Sequence, residues 1–533
     1  MKSRRWNAVC LLFTAFLFAL YCTLPYFGAV SLGTVCLRFL LYFVLCAVIC
    51  LILYRISGML LPRLHWRKIE AVLYEKWTAG KYFLFFWGIL IVCFLPAYLA
   101  FFPGIFGYDG PNQMQQILGE IPYCAHHPVT HTLILGVFMN CGRAVFGSYN
   151  GGVGLFCIFQ GLVVSGSVAY SLLLLRRLRT PFPVLLLGLA WCVLHPVVQV
   201  LTFNTTKDIL FGVTMLHFIL QCYDWLSGAA ERSRRRMALL VLTGVFLCLL
   251  RNQGIYMVAA LVVLGLLVFR RDRRLLASLC LIVLFGGLFF FTADHVFGVQ
   301  KGDPREMLSV PMQQMALVCR QYKEGGPVSL TEEEYGAFTK LVEEQYLPEY
   351  QLTIADPIKN HFNTEQLKSD LPGYLGLYVR MGMRNPGLYL TAFRYLVYPY
   401  WDMSENVKTG TSVSNTFPEV SEGWGISQKS LFPAYKACLV RYMEEGIHKK
   451  IPVVSWLMQP GLCIWIMTAL AGLSAARKDK AVFMTAATGM LFFMTLLLGP
   501  VALLRYLYPL MIAVPCFLAM LCGKIMVGWG EER

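Results

Sequence analysis

Runs of about twenty apolar residues recur along this chain, and no other feature limits its fold so tightly. Coiled as an α-helix, such a run matches the hydrocarbon thickness of a bilayer. In lipid every backbone N–H and C=O must find an internal partner, so these runs cross as helices. A transmembrane β-barrel would show short alternating segments instead. The chain has 533 residues, of which 57% are hydrophobic and only 14% charged. Soluble domains carry about a quarter charged residues, which excludes soluble, disordered and fibrous classes. The expected fold class is an all-α polytopic membrane protein.

The runs fall at 8–27, 34–54, 82–101, 151–175, 181–201, 208–226, 237–250, 253–269, 275–293, 451–474, 480–498 and 500–522. A further apolar run, 129–146, is ambiguous. If it spanned, Arg176, Arg177 and Arg179 would lie outside and every later loop would invert. As a re-entrant or interfacial helix on the outer side, it lets all the basic clusters agree. These are Lys2/Arg4/Arg5, the 55–81 loop, Arg176–Arg179, Arg232–Arg236, Arg270–Arg274 and Arg477–Lys480. The short outer loops carry only Arg143, Lys207 and Arg251. The expectation is therefore about twelve spans with both termini cytoplasmic. The net charge of +16 is then a topology signal rather than a nucleic-acid footprint. The N-terminus has the charge pattern of a signal peptide but no small-x-small cleavage site, and reads as an uncleaved first span.

Three parts follow. Residues 1–293 form a membrane domain of nine spans, with the outer loop 102–150 carrying the candidate active site. Residues 294–450 form an extracytoplasmic, mostly helical domain, and 451–533 add the last three spans. The 294–450 stretch is too long for a structureless connection. It holds a capping box at Thr331-Glu-Glu-Glu334 and a helix start at Asn385-Pro386. Residues 401–428, rich in Gly, Ser, Asn and Thr, read as a loop over a site. Of eighteen cysteines, fourteen sit in apolar runs as small hydrophobes. Only Cys124, Cys141, Cys319 and Cys438 fall in connections, and pairing of Cys319 with Cys438 is left open.

Ionisable residues at a membrane boundary need a reason, and here they gather on the outer side. Asp109 follows the third span in Phe-Gly-Tyr108-Asp109-Gly. It is either a turn residue or a carboxylate held at the surface, with a helix starting near Pro111 and Gln113. His126-His127-Pro128 opens the 129–146 helix, and His131 lies four residues after His127. That spacing suits two ligands on one helix face, but a third is missing, so no metal site is assigned. A divalent cation is kept open as a cofactor. Thr206, Lys207 and Asp208 open the sixth span; the acid suits the first turn, and the lysine at a helix N-terminus suits a phosphate. Arg251 separates two short apolar runs, at a tight turn or a cavity. Arg505, followed by Tyr506, lies in the last span and needs either an acid such as Asp208 or an anionic ligand.

In this order the pieces resemble the GT-C superfamily of lipid-phosphate-sugar-dependent glycosyltransferases. Those are Tyr108-Asp109 after an early span, His127-Pro128 leading to Phe146-Gly147, Leu175-Arg176-Arg177, and Arg505 to Pro509. The likeness covers 82–226 and 480–522. It departs in three respects: Gly follows Asp109 where a second acid is usual, His-His-Pro replaces His-Pro-Pro, and the inserted region precedes the last three spans. The resemblance implies inverting transfer of a sugar from a polyprenyl-phosphate donor to a glycan, lipid or protein acceptor of the cell envelope. It implies Asp109 and His127 as catalytic residues. Substrate contacts are expected from Tyr108, Gln113, His126, His131, Lys207, Asp208, Arg251, Arg505 and Tyr506. The alternatives are a transporter or flippase of lipid-linked anions, a polysaccharide polymerase or ligase, and a scaffold. The polymerase would draw on Arg320, His361, Arg380, Arg384 or Arg394 of the long outer stretch. Membrane lipid is an expected partner in every case, and nucleic acid in none.

Overall fold

Short polar residues at the ends of the apolar runs set where the helices begin. The Ser148, Ser233, Asp272 and Asp479 side chains each accept a backbone N–H from the first turn of the helix that follows. Gly119, Gly147 and Gly228 close three others in the left-handed conformation. The structure, a computed structural model, describes residues 2–27, 30–60, 64–228, 232–403 and 413–523. Residues 404–412 of the 401–428 stretch, Arg63, and the side chains of Lys2 and Arg4 lie outside the described residues.

Among the described residues, eight helices are long and apolar enough to cross a membrane: Arg5–Tyr26, Leu32–Arg55, Ala79–Ala100, Val129–Phe146, Tyr149–Arg177, Lys207–Ser227, Arg273–His295 and Leu504–Cys522. A ninth results if Phe182–Leu194 and Pro196–Thr202, bent by 55°, are taken together. Pro196 lacks the N–H that would continue the helix through the bend. Gln253–Val268, Leu462–Ala476 and Lys480–Leu496 are apolar but shorter. Among the described residues the only extended pairings are isolated bridges. The protein is a helical, multi-pass membrane protein.

Besides the shorter helices and Arg234–Leu250, which at 17 residues is not among the candidate spans, three segments differ from the sequence expectation. Val129–Phe146, read from the basic loops as a re-entrant or interfacial helix on the outer side, has the length and apolarity of a span. The 451–474 run is broken into Pro452–Leu457 and Leu462–Ala476, with Pro460-Gly461 between them. The 500–522 run becomes helical only at Leu504 and is interrupted at Ile512-Ala513, ahead of Pro515.

The Lys207–Ser227 helix is buried along most of its length and packs on Tyr149–Arg177, Arg234–Leu250, Lys480–Leu496 and Leu504–Met511. Gly212 permits the last of these contacts. A Cβ there would lie 3.1 Å from Pro509 Cα and 3.1 Å from the Tyr508 ring. The close approach stacks the first turn of one helix over the first turn of the other, and with them Asp208 and Arg505. Leu37, Leu41, Val92 and Leu267 point outward from the bundle, as a lipid-facing surface requires.

A second hydrophobic core, built on Val318, Phe338, Leu341, Ile358 and Met381, lies within the 308–392 stretch. The Thr331–Glu334 capping box forms there, and Pro386 opens the Pro386–Val397 helix. Cys319 is buried in this core and Cys438 is exposed; both thiols are free. Backbone ties join the stretch 294–450 to the bundle at several places, and two of them bear on the site. Ala355 N–H donates to the Pro500 carbonyl at 2.8 Å, beside an Ile354–Val501 bridge. The Thr416 and Lys429 N–H groups donate to the Phe106 and Phe102 carbonyls at 3.1 and 2.8 Å. The first tie fixes the approach to Arg505, and the second fixes the approach to Asp109.

Candidate active site

Asp109 sits at the end of a turn closed by the Gly110 N–H on the Gly107 carbonyl, just before the Gly110–Leu118 helix. Its carboxylate does not cap that helix. Gly107 holds the turn against the neighbouring loop, where a Cβ would collide with Asn204 Oδ1. Its N–H donates to Thr205 Oγ1 at 2.8 Å. So fixed, the 2%-exposed Asp109 side chain turns inward. It accepts from Lys207 Nζ on one oxygen and from Arg505 Nη1 at 3.1 Å on the other. His127 Nδ1 lies 3.9 Å away.

Arg505 continues the chain of charges, with Nη1 3.7 Å from Asp208 Oδ2. Asp208 also accepts from Arg251 Nη1. Asp208 therefore bonds across the bundle while occupying the acidic first-turn position of its own helix. Arg251 and Arg505 both lie against the Tyr506 ring, at 4.8 and 5.0 Å. Three cations thus meet two carboxylates, leaving one positive charge in excess. Arg505 Nε is buried with no partner among the described residues. Burial by itself would raise the Asp109 pKa, but Arg505 and Lys207 outweigh it and hold the carboxyl well below the usual carboxylate range. Burial pushes His127 down to about 3, against the pull of Asp109, so its ring is neutral at pH 7.

These groups floor a cavity of about 1280 Å³. Tyr108, Asp109, His126, His127, Lys207, Arg251, Arg505 and Tyr506 all line it. Three expected substrate contacts do not. Asp208 is fully buried behind Arg251 and Arg505. Gln113 and His131 pair behind the wall, with Gln113 Nε2 3.0 Å from His131 Nδ1 and 3.0 Å from Thr132 Oγ1. The shared helix face expected of His127 and His131 fails because the helix starts at Val129, two residues past His127. Among the described residues no three His, Cys, Asp or Glu side chains converge as a metal-ligand set.

The opposite wall was not anticipated from the sequence. Lys301, Asp303, Arg305 and Glu306 reach the cavity from one segment, and Asp356 and Lys359 from another. Lys359 bonds Glu306 at 2.7 Å and Asp356 at 2.8 Å. The dense charge run Lys301-Gly-Asp303-Pro-Arg305-Glu306, directly after an apolar run, was the available signal. The basic residues considered for a polymerase are elsewhere. Arg320 binds Glu324, His361 stacks on Tyr346, Arg380 and Arg384 bind Glu334, and Arg394 bonds the Pro25 carbonyl.

No curated protein and no solved structure matches the chain. One family model does, over residues 121–526, a stretch that takes in every cavity residue named above except Tyr108 and Asp109. That match covers well over half of the sequence, and the chain belongs to DUF6020, a family of unknown function.

Proposed function

We propose that the protein is a GT-C-like membrane glycosyltransferase that transfers a sugar from a polyprenyl-phosphate donor to an extracytoplasmic acceptor. The supporting observation is the buried Asp109, held by Lys207 and Arg505 on the floor of the cavity. In this reading about twelve helices cross the membrane with both termini cytoplasmic, Val129–Phe146 stays on the outer side, and the cavity opens outward. The acceptor hydroxyl attacks the anomeric carbon, the bond from that carbon to the phosphate oxygen breaks, and the hydroxyl proton passes to Asp109. The excess cation in the cluster receives the departing lipid phosphate.

Asp109 in its present surroundings is a weak base, because two cations stabilise its ionised form. Both cations are also the groups that a phosphate would attract. As the leaving group draws Lys207 and Arg505 away, the carboxylate loses that stabilisation and its proton affinity rises as the proton must be taken. His127, neutral and close to Asp109, orients the hydroxyl. Much of the rate then comes from positioning.

The test is transfer from a panel of polyprenyl-phosphate sugars by the purified protein, followed as lipid-free sugar on the acceptor. Wild-type turnover that disappears in Asp109→Asn supports the reading, and near-normal turnover in that variant overturns the base role. The break at Arg251, between Arg234–Leu250 and Gln253–Val268, and the 55° bend between Phe182–Leu194 and Pro196–Thr202 favour transport of a lipid-linked anion, in which no bond would break.

A further inference from the structure

A second cavity, of about 910 Å³, runs along the Lys207–Ser227 and Arg234–Leu250 helix pair, from Val213 and Phe246 to Trp225 and Arg235. Asp224 on its wall is seventeen residues past Lys207, about 25 Å along the helix. It is therefore separate from the site around Asp109 and shares no lining residue with it. Tyr170, from Tyr149–Arg177, supplies the third wall.

The groove is graded along its length. Val213 and Phe246 lie at the far end, while Leu239 and Leu242, between them and the arginines, are open to the outside of the bundle. Midway, Gln221 Nε2 donates to Thr243 Oγ1 at 2.9 Å, while Gln221 Oε1 is buried without a partner among the described residues. At the other end stand Arg235 and Arg236, in the first turn of a 17-residue helix. The acids near them are engaged elsewhere. Asp224 holds Arg177 at 2.6 Å, and Asp272 holds Arg232 at 3.4 Å. Neither Arg235 nor Arg236 has an acidic partner among the described residues.

An apolar trough, a hydrogen-bonding middle and a cationic mouth at a helix end follow the order of a lipid molecule: chain, linker, anionic head. We infer that this groove binds one anionic membrane lipid with a single phosphate. The head sits at Arg235 and Arg236, the ester linkage lies beside Gln221 and Thr243, and one chain runs past Leu242 and Phe246. The charge complementarity selects an anionic lipid over a zwitterionic one, because unpaired arginines attract net negative charge near a membrane surface.

The experiment uses the full-length protein in phosphatidylcholine nanodiscs containing phosphatidylglycerol with a photoactivatable acyl chain. Peptide mapping should place the cross-links on 213–220 and 239–246, with little labelling by the phosphatidylcholine analogue. Arg235→Gln/Arg236→Gln should lower the preference for phosphatidylglycerol about tenfold or more. Leu242→Trp, which keeps the charge and the topology, should block labelling at 239–246 by filling the trough. Equal labelling by both lipids overturns the proposal. So does labelling spread evenly over lipid-facing helices such as Leu32–Arg55. If only the arginine variant has an effect, attraction is a general surface property, and the groove assignment falls.

Discussion

Arg505 on Asp109 and Arg384 on Glu334 are the same two chemical groups, 3.1 and 2.9 Å apart, in opposite surroundings. The first pair is nearly buried; Asp109 also holds Lys207, and Arg505 reaches Asp208, which in turn holds Arg251. The second lies on the 308–392 stretch, with the arginine 41% exposed, and Glu334 also serves a helix cap. Removing ions from water is costly, and attraction offsets that cost only when all partners are present. A surface pair gains little because water screens it. Equal distances therefore do not mean equal consequences, and the buried cluster is where a change should be felt.

The largest effect is expected from Asp109→Asn. Lys207 and Arg505 would face a neutral amide, destabilising the fold by about 3–5 kcal/mol. On the proposed function, sugar transfer by the surviving folded fraction should fall by roughly 10²-fold or more. Thermal melting and turnover measured on one preparation separate the two. Arg505→Lys keeps the charge but cannot reach both carboxylates with one planar group. A loss of about 1.5–3 kcal/mol in stability is expected, with weaker donor binding read by a titration. Unchanged donor affinity with a lowered melting temperature would make Arg505 a purely structural partner of the two acids.

Acid sensitivity sharpens the contrast further. His127 is neutral in the folded protein down to about 3, whereas an exposed histidine titrates at about 6.5. Between those values the unfolded chain binds the extra proton, so stability should fall as pH drops from about 6.5 toward 3. His127→Gln should flatten that part of the melting profile. Asp109, with its pKa depressed, adds stability that is present above about 3.9 and lost as pH falls further. The smallest effect belongs to Arg384→Ala, which should cost at most about 1 kcal/mol and leave turnover unchanged.

Much of the floor of the cavity is legible in the chain, because charge is rare in apolar surroundings. Asp109, Lys207, Arg251 and Arg505 each stand out at the end of a hydrophobic run, and a common side of the bundle brings them together. His131 misleads because its helix starts at Val129, two residues past His127, and Gln113, in the expected Gly110–Leu118 helix, pairs with it behind the wall. In the 301–306 and 356–359 wall the charge is visible in the sequence but its direction is not: charged residues in a solvated stretch look alike until long-range packing turns some of them inward. The breaks at Pro460-Gly461 and before Pro515 are marked by proline, yet hydrophobicity alone runs straight through them.

The tie between Ala355 and Pro500 has a consequence for how the protein is made. A ribosome delivers residues 354–355 well before it delivers 500–505, so the stretch that anchors the last membrane segment can fold ahead of it. Until Leu504 and its successors insert, Asp109 has Lys207 but not Arg505, and the cavity floor lacks its largest donor. A nascent chain can therefore occupy the bilayer through its earlier helices while the charge cluster is still open, and Leu504–Cys522 closes it in a later step.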